Sequence, residues 1–130
     1  MDWSLIVLND NAKKWVEALR SEKYKQQTKS YLRVGNKFCC LGVACDLYQK
    51  EVGDLKELAS GSDDRYYYNG MASYLPEIVQ NWLGISTWSG SYNDDSGLRF
   101  RLDLASQNDS GKTFEEIADI IEAEPVGLFV

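Results

Sequence analysis

Residues 37–48, KFCCLGVACDLY, constrain the fold more than any other stretch of the chain. Leu41, Val43, Ala44, Cys45, Leu47 and Tyr48 fall on nearly every side of a helical wheel, so residues 41–50 read as a helix that is apolar all round. Such a helix belongs inside a protein, and the remaining elements must wrap it. A chain of 130 residues is long enough to do so as one domain, residues 1–130.

The wrapping elements can be read locally. Ala12, Trp15, Val16 and Leu19 recur at helical spacing, which predicts an amphipathic helix over residues 11–22, capped by Asn9, Asp10 or Asn11. Before it, the apolar run Trp3–Leu8 suits a strand or a helix lead-in. Gly35-Asn36 separates residues 31–34 from 37–40, a hairpin signal because glycine supplies the positive φ the turn needs. Residues 53–70 are polar and turn-rich. Leu75-Pro76 opens a short helix with Ile78, Val79 and Trp82 facing inward and Gly84 stopping it. Leu98, Phe100, Leu102 and Leu104 alternate with polar residues, as in a strand buried on one face. Thr113 and Glu116 form a capping box before a last helix, whose apolar face is Phe114, Ile117, Ala118, Ile120 and Ile121 and which Pro125 ends. The expected fold class is α+β: a compact domain with about four helices packed on a small antiparallel sheet that contains a hairpin.

Cys39, Cys40 and Cys45 are the three cysteines of the chain. Their spacing does not fit zinc, and the chain has no histidine to complete a metal site or act as a general base. An odd cysteine count with two adjacent does not make a disulfide framework. Buried packing is the expected role, with no metal, no cofactor and no catalytic residue assigned. The chain contains no membrane-length apolar run and no signal-peptide pattern, so neither a membrane nor an oxidising compartment is expected.

The net charge of −6 argues against a nucleic-acid polymer as partner. Yet residues 1–37 carry eight Lys/Arg against four Asp/Glu, whereas residues 38–130 carry six against sixteen. A small anion would find its countercharge in the first third, at Arg20, Lys23 and the adjoining Tyr24, Lys25 and Gln26. Residues 66–92 hold seven of the sixteen aromatics, among them Tyr67 and Trp88, in sequence rich in loop signals. Rings of this kind either stack on a ligand or fill the core. The segment NDSGKT at 108–113 resembles the end of a phosphate-binding loop, but Ser106 stands where the upstream glycine belongs. A tight turn into a capped helix explains the same residues. SDDR at 62–65 and NDDSG at 93–97 do not meet the calcium-loop spacing and read as solvated loops.

WVEALRSEKYKQ (15–26), KFCCLGVACDLY (37–48), LPEIVQNWLGI (75–85) and LASQNDSGKTFEEIADIIE (104–122) occur in that order. In these segments the chain resembles a family of small proteins encoded by tailed bacteriophages, with the CCLGV-C core as the most specific part. It departs from the family at Glu22, where glycine often follows the Arg-Ser pair. The resemblance implies a host bacterial cytoplasm and an accessory role, including the anti-defence factors that hold immune nucleotide signals. It carries no catalytic residues. The leading expectation is a protein that sequesters a cyclic or ADP-ribose-derived nucleotide without catalysis. Arg20, Lys23 and Tyr24 would meet phosphates, Trp88 or Tyr67 a base, and Gln26, Asn108 and Asp109 the ribose hydroxyls and base edges. An inhibitor that binds a host protein and an enzyme that cleaves or modifies the signal are the alternatives. Homo-oligomerisation, with a pocket shared across a two-fold axis, is compatible with each.

Overall fold

A computed structural model describes residues 8–93 and 101–130. Its centre is the expected buried helix, α2 (Cys40–Glu51), in which Cys40 to Cys45 and Tyr48 are all buried. Around it pack α1 (Asp10–Arg20), α3 (Glu77–Leu83) and α4 (Leu104–Asp109), while α5 (Phe114–Glu122) lies mainly against α1. The Trp15 indole is fully buried, and its Nε1 donates to the Cys40 carbonyl at 2.9 Å, which ties α1 to the start of α2. Among the described residues three small β sheets close the structure: β1 (Lys25–Gln26), β2 (Arg33–Val34) and β3 (Lys37–Phe38); β4 (Glu57–Ala59) with β5 (Tyr66–Tyr68); β6 (Ser91–Asn93) with β7 (Arg101–Asp103). Among the described residues no helix is long and apolar enough to cross a membrane.

Local signals produced most of these elements. Asn9 caps α1 by accepting from the Ala12 amide at 2.9 Å, and the buried face is Ala12, Trp15, Val16 and Leu19 as the periodicity requires. Gly35, at φ +60°, opens the turn between β2 and β3, with Val34 opposite Lys37. Thr113 and Glu116 form the reciprocal capping box of α5. Residues 108–113 hold the end of α4 and the turn, residues 110–113, that leads into α5, with Gly111 in the left-handed region at φ +107°. Glu22, just past α1, takes φ +62°, a conformation that glycine adopts without a steric penalty.

Some expectations change. Leu104 does not continue a strand: the Asp103 carboxylate accepts from the Ser106 amide at 2.7 Å and starts a fifth helix there. The earlier part of that expected strand, Leu98 and Phe100, and the Trp3–Leu8 run up to residue 7 lie outside the described residues, as does NDDSG beyond Asn93. In α3 the inward pair is Val79 and Leu83, one helical turn apart, whereas Ile78 is 41% exposed and Trp82 only half-buried. Among the described residues the strands form three separate small sheets instead of one, and β1 joins β3 in parallel, Lys25 opposite Lys37 and Gln26 opposite Phe38.

Candidate functional site

The outer face of α2 is its polar exception. Asp46, Lys50 and Glu51 lie there, facing Lys14 and Glu17 of α1 across an open groove of about 750 Å³. The loop after α1 brings Lys23, Tyr24 and Lys25 to the rim, and Phe38 of β3 supplies an apolar wall. The Tyr24 ring meets Phe38 edge-on, with centroids 5.1 Å apart. Its hydroxyl donates to Asp46 Oδ2 at 2.5 Å, and Lys50 Nζ lies 3.0 Å from the same oxygen and donates to the Tyr24 hydroxyl at 3.3 Å. Burial, then the bond to Asp46, pushes the Tyr24 hydroxyl above its ordinary pKa. The same carboxylate holds the Lys50 ammonium charged. Across the groove Lys14 pairs with Glu51 at 2.7 Å. Lys23 and Lys25 are exposed and form no ion pair among the described residues. They are the groove's spare cations; of the described carboxylates lining it, Asp46 and Glu51 are each paired with a lysine and the exposed Glu17 is not.

Of the residues singled out in the sequence, this groove unites Lys23 and Tyr24, along with the neighbouring Lys25. The others are placed elsewhere. The Arg20 guanidinium, assigned above to phosphate, is taken up by α5: it bonds Glu115, Asp119 and Glu122, the middle contact at 2.8 Å, and its proton is held more tightly than usual. Arg20 is therefore reassigned to joining α1 and α5. Gln26 and Asn108 form an interior tie. Gln26 Nε2 donates to Asn108 Oδ1 at 2.9 Å and to the Lys112 carbonyl at 2.7 Å. The fully buried Asn108 also accepts from the Cys40 amide at 3.2 Å and donates to the Gln27 carbonyl at 2.8 Å. Its amide is saturated by the fold, which leaves little for a ligand. Asp109 lines a second, smaller cavity. Tyr67 is half-buried in β5, where its hydroxyl accepts from Arg65 at 3.4 Å. Trp88 is exposed and stacks on Tyr74.

Lys14, Asp46 and Lys50 escaped the sequence reading. The available signal was the Asp46/Lys50 spacing of four, which marks the one charged stripe on an otherwise apolar helix.

The cysteines pack in the core, as expected. All three are free and buried, and loss of water pushes Cys39 up to about 12 and the other two well above the ordinary thiol value. A thiolate nucleophile is not supplied at neutral pH. Among the described residues no group of three or more histidine, cysteine or acidic side chains is placed to hold a metal ion.

Residues 8–125 match the model of a family described as "Domain of unknown function (DUF8296)", and the chain belongs to that family. No curated protein and no solved structure matches it.

Proposed function

We propose that this family member is a non-catalytic binding protein that holds an anionic, nucleotide-type signal in the groove between α1 and α2. The observation that carries this reading is the pair of unpartnered lysines, Lys23 and Lys25, beside the Tyr24–Phe38 aromatic wall. Phosphate oxygens take the two ammonium groups, and a base or ribose lies against the rings. Asp46 and Glu51, held in place by Lys50 and Lys14, accept from ribose hydroxyls or base amino groups. The volume lies within the range of small-ligand sites. The resemblance to tailed-phage proteins supports a host-cytoplasm setting in which the ligand is an immune signal. A thiol-based enzyme is disfavoured because burial keeps all three cysteines protonated.

Calorimetric titration with ADP-ribose and with a cyclic dinucleotide tests the assignment. At least one of them binds, more weakly as salt rises. Lys23→Gln combined with Lys25→Gln weakens it by about tenfold or more, the scale of a lost charge-assisted hydrogen bond. Chromatography of the recovered ligand shows it unchanged. No binding by either compound, or equal affinity in the double variant, removes the groove from consideration.

A further inference from the structure

A second cavity, of about 240 Å³, lies between α4, the start of α2 and the loops carrying Ser30 and Tyr74. Its chemistry differs from the groove's. Among the described residues no lysine or arginine lines it, and two carboxylates do, Asp103 and Asp109. Phosphate is therefore repelled from it. Three serine hydroxyls, from Ser30, Ser73 and Ser106, complete its polar wall. The Cys39 thiol, kept neutral by burial, adds no charge to its floor.

Asp109 ends α4, half-buried, at the negative pole of that helix. It accepts from Asn108 Nδ2 at 3.2 Å and from the Ser30 hydroxyl, and no cation is paired with it among the described residues. Burial raises its pKa, and the nearby Asp103 charge adds to the effect. A carboxylate withdrawn from water without a salt bridge lowers stability, and it keeps acceptor lone pairs for something else. Asp103 spends one oxygen on the Ser106 amide, which leaves the other for the cavity.

An apolar surface adjoins the cavity through Tyr74. Tyr74 lines the cavity, and Trp88 stacks on it with ring centroids 5.8 Å apart and planes 19° from parallel. The two rings are 43% and 57% exposed, among the most exposed large apolar side chains described. Flat rings beside clustered acceptors match a compound with C–H faces and hydroxyl edges.

We propose that this cavity binds a neutral, hydroxyl-rich ring, with Asp103 and Asp109 accepting from adjacent hydroxyls and the Tyr74–Trp88 pair packing against its C–H face. That chemistry is shared by a free monosaccharide and by the ribose of a nucleoside. The cavity volume suits a compound of that size, and the two carboxylates select against the phosphorylated forms. The site is separate from the groove and does not depend on what the groove holds.

The test is titration of ¹⁵N-labelled protein with D-ribose, D-glucose, adenosine and ribose 5-phosphate, followed by amide and indole shifts. The expected result is saturable movement of the Ser106 and Asp109 amides and the Trp88 indole with at least one neutral compound. Ribose 5-phosphate binds there at least fivefold more weakly than ribose. A response to adenosine alone identifies a nucleoside site; responses to ribose or glucose identify a sugar site. Asp109→Asn and, separately, the surface variant Trp88→Ala each weaken binding by tenfold or more. Absence of saturable shifts with all three neutral compounds overturns the inference. So does tighter binding of the phosphate, or an affinity that neither variant changes.

Discussion

Replacing Gly42 by alanine tests how the two halves of the molecule are held together. In an ordinary helix interior this change stabilises by about 1 kcal/mol, because glycine loses more backbone freedom on folding. At Gly42 a Cβ would lie 1.8 Å from the Leu32 carbonyl oxygen and 2.7 Å from its carbon. Those are backbone atoms of a fully buried residue, so no side chain can swing aside. Leu32 is itself pinned: its amide donates to the Ala72 carbonyl at 2.7 Å, and its carbonyl accepts from the Cys39 amide at 3.0 Å. Separating the two backbones by more than ~1 Å breaks or strains those bonds, at about 1–3 kcal/mol for a buried unsatisfied group. Overpacking adds a further ~1–3 kcal/mol. After the helix gain is subtracted, Gly42→Ala destabilises by about 1–5 kcal/mol, a sizeable fraction of the typical 5–15 kcal/mol of a domain. Urea unfolding followed by tryptophan fluorescence reads this as a lower midpoint at unchanged slope. Gly61→Ala, where a Cβ meets nothing within 4 Å, is the control and stays within about 0.5 kcal/mol. A Gly42→Ala protein as stable as the wild type would refute the close α2–Leu32 docking, and with it the placement of the residues around both cavities.

Arg20→Ala costs about 1–2 kcal/mol, because exposed ion pairs are worth up to ~1 kcal/mol each and three on one guanidinium do not add fully; the loss shrinks in 1 M salt (about 3 Å screening length). Its nucleotide affinity stays within about twofold, since the guanidinium faces α5, and titration of the variant checks that. Glu22→Gly relieves a left-handed backbone at φ +62° and raises stability by about 0.5–1 kcal/mol, measured by thermal melting. For Asp109 the folded-state pKa lies above the unfolded one, so ionisation favours the unfolded chain once the pH passes about 4. Asp109→Asn therefore melts higher than the wild type at pH 7, and the difference disappears below about pH 3, where the carboxyl is protonated in both states.

Elements whose instructions are local were legible. Asn9 sits next to the helix it caps, Thr113 lies three residues from Glu116, and Gly35-Asn36 is the whole of its turn. The burial of Cys39, Cys40 and Cys45 followed from apolar residues on every side of one helix. Asp103 was ambiguous for a physical reason: it fits the polar position of an alternating strand and is also a good N-cap, and the cap won at Leu104. The two-residue strand β1 is too short to show a period, so its parallel pairing with β3 had no sequence signature. For the candidate site the difficulty was distance along the chain. Arg20 and Lys23 look alike as exposed cations near a helix end. Only the arrival of α5, some 95 residues later, shows that one is spoken for and the other is not. Likewise Asn108 appears ligand-like in a polar run, and its four partners, on Gln26, Gln27, Cys40 and Asp109, emerge only in three dimensions.

The most direct test of the groove is to let the protein choose its ligand. Purified protein, wild type and Lys23→Gln/Lys25→Gln, is incubated with lysates containing or lacking active nucleotide-signalling immune enzymes, washed, and denatured by heat, and the filtrate is read by mass spectrometry. The expected result is an intact phosphorylated nucleotide released by the wild type from the active lysate alone, and depleted at least tenfold with the double variant. Release of no nucleotide, release of a cleaved one, or equal release by both proteins would contradict sequestration in this groove.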